Sequence, residues 1–373
     1  MKLHRFAAIP ALLAAGTFVL AACGSDNDSG GGGSDNSSAP SNVSSGGKID
    51  CPSGQLNAAG SSAQKPAFNA WITGFQGQCS SAQINYDATG SGAGITSFTQ
   101  GQVPLAGSDS HLAPEEQGPA DKRCAGGKAV DIPMVATPVA IVYNIKGVSD
   151  LTLTPDALAG IFSGKITKWN DPKIASANKG ATLPATNITA VHRSKDSGTT
   201  DNFTKFLDAQ DKQAWTYGTG KAWTAPGGIG AAESADMVSK VTGTDGAIGY
   251  VDSPDATKNK LTVAKLDVGS GPVALDTDSV NKGLDAAKVV QNGDDIEVQL
   301  NYGLNQAGAY PALLVTYEIT CTSGLPTDQA KFVKSFLSYT SDAGQGELAK
   351  IGHFPLSDEL ITKVKASVAK LQG

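Results

Sequence analysis

The chain has 373 residues, of which 40% are hydrophobic and 17% charged, with a formal net charge of −6. That length suits two domains better than one, and the apolar content is that of packed protein rather than a disordered chain. The acidic balance excludes a basic nucleic-acid footprint, so no nucleic acid is expected among the partners, and an apolar run confined to the extreme N-terminus excludes a polytopic membrane protein.

In chain order, Lys2 and Arg5 precede a short apolar stretch from Phe6 to Leu20, which reads as an export signal over residues 1–22. Leu20-Ala21-Ala22-Cys23 resembles a bacterial lipobox, in which Cys23 carries the lipid and becomes the new N-terminus. Residues 23–50 then read as a tether. Gly24 to Gly47 is almost entirely Gly, Ser, Asn and Asp, a flexible coil with a mean span of roughly 25–30 Å. The expected location is the extracytoplasmic face of the cell membrane, held by lipid. With Cys23 assigned, Cys51, Cys79, Cys124 and Cys321 remain. An even number in an oxidising compartment reads as disulfides, with three pairings open.

Residues 65–76 put Phe68, Trp71, Ile72 and Phe75 on one helical stripe, and a strand-like run follows at 82–89. The segment 129–144 is long, β-rich and broken by prolines, and reads as a buried strand that passes into a second domain. Further strands are expected at 187–193, 246–251 and 311–319. Helices are expected around Phe203–Leu207, Phe332–Leu337 and Leu360–Val368. Strands alternating with helices predict an α/β fold with largely parallel sheets.

Three loops share one design, in which a strand gives way to small polar residues and glycine and then to a helix. They are Ala59–Ala63, Thr89–Ala93 and Arg193–Thr199. The first N–H groups of a helix have no partner within it, and the dipole adds partial positive charge there, so a helix start can hold an anion. Each loop alone reads first as an ordinary helix cap. Three together, one opening on an arginine, suggest several helix starts converging on a single oxyanion. Arg193 offers a planar fork for two oxygens. Asp109, in Ala106-Gly107-Ser108-Asp109-Ser110, would repel an anion unless that anion brought a proton. Hydrogen phosphate does and sulfate does not, so the carboxylate would act as a selector.

The run of A-G-S-S, N-Y-D-A-T-G-S-G-A-G, A-G-S-D-S, H-R-S-K-D-S-G-T-T, I-T-K-W-N-D-P-K-I and G-A-I-G-Y-V resembles the phosphate-binding lipoproteins of bacterial phosphate-specific ABC importers, the PstS family, from about residue 56 to the C-terminus. The resemblance implies a type II periplasmic-binding-protein fold, two α/β lobes closing on dehydrated phosphate. It implies contacts from Ser62, Ala63, Ser91, Asp109, Arg193, Ser197, Gly198 and Thr199. It also implies ABC permease subunits as partners, no catalytic residue and no cofactor. Two positions depart from the family pattern. Ala63 stands where an aromatic residue or leucine is common, and Lys195 stands where an acidic residue often braces the arginine, with Asp196 one further on.

The chain is expected to cross between lobes near Thr137–Ala140 and near Val251–Thr257. Lobe I is then 51–138 plus 256–373, and lobe II is 139–255. The rival readings are another oxyanion, sulfate or molybdate, and a phosphatase. No Walker A loop or nucleophile elbow is present in the sequence. His111, His192 and His353 have no metal-like spacing and read as structural, with no metal ligand assigned. Lys165–Trp169 reads as a solvated helix end that could touch a transporter.

Overall fold

The computed structural model describes residues 49–372. The signal segment, Cys23 and nearly all of the tether lie outside the described residues. Among the described residues no helix is long and apolar enough to cross a membrane.

The chain opens with β1 (Gly54–Gly60), α1 (Lys65–Gln78), β2 (Ala82–Asp87), α2 (Ser91–Thr99), β3 (Leu105–Ser108) and α3 (Pro114–Arg123). The long strand β4 (Ala129–Asn144) follows, then β5 (Thr152–Leu153), α4 (Pro155–Phe162), α5 (Pro172–Ala177), β6 (Thr189–Arg193) and α6 (Gly198–Gln210). Next come β7 (Ile229–Ala231), α7 (Ser234–Gly243), β8 (Ala247–Asp252), α8 (Ser253–Lys258), β9 (Thr262–Val263), β10 (Lys265–Leu266) and α9 (Thr277–Asp285). The hairpin β11 (Lys288–Asn292) and β12 (Asp295–Gln299), then β13 (Leu313–Cys321), α10 (Thr327–Thr340), α11 (Gln345–Leu348) and α12 (Asp358–Lys370), complete it.

Local chemistry sets several helix starts. Thr154, Asp171, Ser197 and Ser357 each accept an N–H of the first turn of α4, α5, α6 and α12, a cap typically worth about 1 kcal/mol. Proline occupies the first turn of α1, α3, α4, α5 and α8, where its missing N–H costs no helical bond.

The main sheet has 9 strands, in the order β2-β1-β3-β13-β4-β8-β6-β7 with β9 on β4. Its two ends are parallel (β2/β1/β3, and β8/β6/β7), as alternating strands and helices predict. Its centre is antiparallel, where β13 pairs with β3 and β4, and β4 with β8. The sheet is therefore mixed rather than largely parallel. Apolar runs announce burial on both faces but carry no information on strand direction.

β4 joins the two halves. Its residues Ala129–Pro138 pair with β13, and Val139–Asn144 pair with β8. Fifteen of its 16 residues are buried. On one side lies a core built from Leu56, Phe68, Trp71, Phe75, Ile132, Phe336 and Val364. On the other lies a core of Val142, Leu158, Phe162, Trp169, Phe203, Trp215 and Tyr250. Each such large side chain, fully buried, stabilises by about 1.5–3 kcal/mol relative to exposure.

After β8 the chain stays with the second core. β9 returns to β4 at Val142 and Tyr143, β10 pairs with β5, and Ala264, Leu266, Val268 and Val273 are buried there. The Lys165–Trp169 segment follows the end of α4, with Lys165, Thr167 and Lys168 exposed as a solvated stretch requires, while Ile166 and Trp169 are buried and the indole N–H of Trp169 donates to Gly246 O at 3.0 Å.

The four cysteines pair as Cys51–Cys79 and Cys124–Cys321, across 28 and 197 residues. Closing loops of those lengths in the unfolded chain corresponds to about 3.5 and about 5 kcal/mol in the chain-entropy picture.

Candidate functional site

The strands of the two wings end at a common cleft. Ser62 and Ala63 occupy the tight turn between β1 and α1, and Ser91 is the first residue of α2. Asp109 follows β3. Arg193 ends β6, and Ser197, Gly198 and Thr199 open α6. All eight are buried.

Glycine permits the approach of these segments. A Cβ on Gly60 (φ +148°) would lie 2.0 Å from Gly107 O, so β1 and β3 could not come together at their ends. A Cβ on Gly198 would lie 2.6 Å from Asp109 Cβ and 2.7 Å from Ser91 Oγ, so α6 could not abut the opposite wing.

Asp109 is the hub. Its Oδ1 accepts from Ser61 Oγ at 2.5 Å and Thr316 Oγ1 at 2.9 Å. Its Oδ2 accepts only from Ser91 Oγ at 3.3 Å and Thr199 Oγ1 at 3.4 Å, both long. The backbone N–H of Asp109 donates to Ser91 Oγ, and its carbonyl accepts from Asn202 Nδ2 at 2.6 Å. One oxygen is thus held firmly by the scaffold while the other keeps spare accepting capacity. Desolvation raises the pKa of this carboxyl, opposed by the hydroxyls of Ser61 and Thr316 and by the Arg193 charge.

Arg193 is 2% exposed. Its Nη2 and Nε donate to Ala232 O at 2.9 and 3.3 Å, its Nη1 donates to Ser197 Oγ at 3.0 Å, and its backbone N–H donates to Tyr250 OH. Among the described residues no carboxylate forms an ion pair with it. Asp196 does not brace the guanidinium; its carbonyl instead accepts from Gly92 N at 3.3 Å, linking the Ser91 and Arg193 loops, and the side chains of Lys195 and Asp196 are exposed. The orienting work falls to the Ala232 carbonyl. Burial lowers the pKa of Arg193 from its ordinary value. Among the described residues the nearby Asp252 makes no ion pair with the guanidinium, and desolvation first, then Asp255, raise its carboxyl well above the usual range.

One further helix start, that of α7, joins α6 at the cleft. Ser234 opens α7, and its Oγ lies 2.9 Å from Ser62 Oγ across the cleft. At α6 the Ser197 hydroxyl caps Thr200 N, while the N–H groups of Gly198 and Thr199 lie in the first turn, beyond the reach of any helix carbonyl. The polar contacts form three groups, Ser62 with Ser234, Arg193 with the Ala232 carbonyl and Ser197, and Asp109 with Thr199 and Ser91. Ala63 lies beside Ser62, with only its backbone to offer.

Ser61, Thr316, Ser234, Asn202 and the Ala232 carbonyl belong to this constellation and escape sequence reasoning. Ser61 had a signal, as the partner of Ser62 in the first loop. Ser234 had a weak one in Glu233-Ser234 before a helical pattern. Thr316 sits inside an apolar strand and had none. Arg193 also neighbours an aromatic cluster, where His192 stacks on Trp223 at 4.9 Å and Trp223 stacks on Tyr250 at 6.2 Å.

Residues 48–343 match the PBP superfamily domain. Over 372 residues the chain is 38% identical to phosphate-binding protein PstS 3 of Mycobacterium tuberculosis, covering 99% of each chain. It is 37% identical over 374 residues to phosphate-binding protein PstS 2 of the same organism, again covering 99% of each. Among solved structures, the phosphate-binding protein of Stenotrophomonas maltophilia superposes with a TM-score of 0.64 at 23% identity, over 84% of this chain and 94% of that one, which establishes the shared fold. The chain belongs to the PBP superfamily and, within it, to the PstS phosphate-binding proteins, a family of binding proteins rather than enzymes.

Proposed function

We propose that the cleft captures inorganic phosphate as the hydrogen phosphate dianion and that the protein hands it to the permease of an ABC importer. The observation that carries this reading is a buried guanidinium without an ionic partner, set among hydroxyls and helix starts and facing a buried carboxylate with one under-used oxygen. A buried unpaired charge costs several kcal/mol unless a counter-ion completes it. An oxyanion at Arg193 supplies that counter-ion, and a P–OH supplies the proton that Asp109 Oδ2 has room to accept. Sulfate meets the first requirement and fails the second. The mycobacterial relatives, both phosphate-binding proteins by name, favour the same ligand.

In this reading Ser62, Ala63, Ser91, Asp109, Arg193, Ser197, Gly198 and Thr199 are the phosphate contacts, joined by Ser234. Two lobes, divided on β4 at the Pro138/Val139 change of partner, close around the ion. The second lobe extends past residue 255 to take in β9 and β10. The remaining elements of the proposal are export, lipidation at Cys23 and an extracytoplasmic position.

Titrating purified protein with phosphate, arsenate and sulfate while following tryptophan emission tests the core claim. Trp223 reports because it stacks on His192, the chain neighbour of Arg193, and on Tyr250, whose hydroxyl accepts from Arg193 N. One equivalent of phosphate or arsenate should saturate the signal, and sulfate should bind far more weakly. Failure to bind phosphate would overturn the reading. Loss of labelled-palmitate incorporation in Cys23→Ser tests the anchor separately.

A further inference from the structure

His111 lies outside the cleft described above. It sits in the loop after β3, and its ring faces two carboxylates that arrive from elsewhere, Asp131 on β4 and Asp295 at the start of β12. Nε2 is 2.9 Å from Asp295 Oδ2 and 3.6 Å from Asp131 Oδ2, and one donor atom from each of the three residues lies within 4.8 Å of the others.

The opposite atom of every member is already committed to backbone. His111 Nδ1 lies 3.1 Å from Leu112 O, and donating there leaves Nε2 to face the two carboxylates, where it carries a proton until a metal ion takes that proton's place. Asp131 Oδ1 accepts from Leu112 N at 3.1 Å. Asp295 Oδ1 accepts from Asp131 N at 2.8 Å. What remains is one nitrogen and two carboxylate oxygens turned toward one another. Asp131 is fully buried, and among the described residues its Oδ2 has no hydrogen-bond partner, only the His111 ring at 3.6 Å. Such an oxygen is expensive to bury unless positive charge stands beside it.

We propose that His111 Nε2, Asp131 Oδ2 and Asp295 Oδ2 bind one divalent transition-metal ion of the zinc, cobalt or manganese class. One imidazole with two carboxylates suits borderline metals, whereas calcium and magnesium favour all-oxygen sets. Zinc at about 2.0–2.1 Å from each ligand places neighbouring ligand atoms a little over 3 Å apart, which the separations of 2.9 and 3.6 Å bracket. Backbone partners behind each ligand are the usual support of a metal site. His111 and Asp295 open onto a cavity of about 820 Å³ that also reaches Asp121 and Lys128, giving water a path to the free coordination positions. Burial opposes a proton on His111, but the hydrogen bond to Asp295 and the charge of Asp131 overcome it and hold the ring at about 9. Among the described residues the hairpin β11–β12 pairs with no other strand, so the ion would reinforce the tie that Asp295 already makes to β4 and to the β3 loop.

The test uses the full chain, stripped with a chelator and exchanged into mildly alkaline, phosphate-free buffer. Cobalt(II) is followed by its visible d–d absorption and zinc by calorimetry. The expected result is one equivalent bound near or below micromolar, weakened at least about tenfold in both His111→Gln and Asp295→Asn. Asp295 lies partly in solvent, so its variant folds and reads the site even if His111→Gln does not. Saturable binding that keeps wild-type stoichiometry and spectrum in both variants would overturn the proposal, as would no saturation below about millimolar.

Discussion

Asp109→Asn separates phosphate from sulfate by one atom. Oδ1 is fixed by the short bonds from Ser61 and Thr316, so the amide carbonyl should take that place and the NH₂ should replace Oδ2. Both ligands are tetrahedral dianions, so the Coulomb gain from removing the carboxylate is common to the two and cancels in their ratio. What remains is a single hydrogen bond. Phosphate loses its P–OH···⁻O contact, and sulfate gains an N–H donor where it faced a lone pair. Each change is worth about 1.5–3 kcal/mol as a hydrogen bond to a charged group. The phosphate-to-sulfate preference should therefore fall by at least about a hundredfold. Competition calorimetry at neutral pH measures it. A preference unchanged within about twofold would refute the role of the carboxylate. Because burial raises the pKa of Asp109, acidification imitates the substitution. Sulfate binding to the wild type should strengthen as pH falls through that raised value, and in the variant it should not.

Three other outcomes follow from the geometry. Arg193→Lys cannot keep Ala232 O and Ser197 Oγ while facing an anion, and phosphate binding should weaken by about 2–5 kcal/mol, read as the dissociation constant by calorimetry; a wild-type value would remove Arg193 from the site. Gly198→Ala drives a methyl into Asp109 and Ser91, so affinity should drop at least about tenfold while the melting temperature moves only by the equivalent of about 1–3 kcal/mol. His111, held at about 9 against an ordinary 6.5, contributes stability that is complete below 6.5 and lost as pH rises through 9. In chelator, urea unfolding should show a fall of about 1–3 kcal/mol across that window after discounting for partial exposure, and His111→Gln should flatten it.

Much of the scaffold was readable because its signals are local. The apolar stretch 129–144 emerges as β4 to the residue, and the stripe of Phe68, Trp71 and Phe75 faces the first core as helical periodicity requires. The glycine-bearing loops were readable because close approach demands glycine. What escaped reading depends on partners distant in the chain. Thr316 donates to a carboxylate 207 residues away, and an isolated threonine in an apolar strand looks like any other. Asp295 meets His111 across 184 residues, so no spacing rule joins them. The hairpin β11–β12, with every residue of β11 exposed, lacks the burial pattern that marks a strand.

β4 also bears on how the molecule is made. On the proposed export route the chain emerges from the membrane N-terminus first, and the strand's first half waits for β13, which carries Cys321, 197 residues beyond Cys124. Throughout that interval a long water-averse ribbon has one flank unsatisfied, an invitation to association with other emerging chains. Its second half finds β8 far sooner, so assembly should start on the later half of the ribbon and zip back toward its beginning only when β13 arrives.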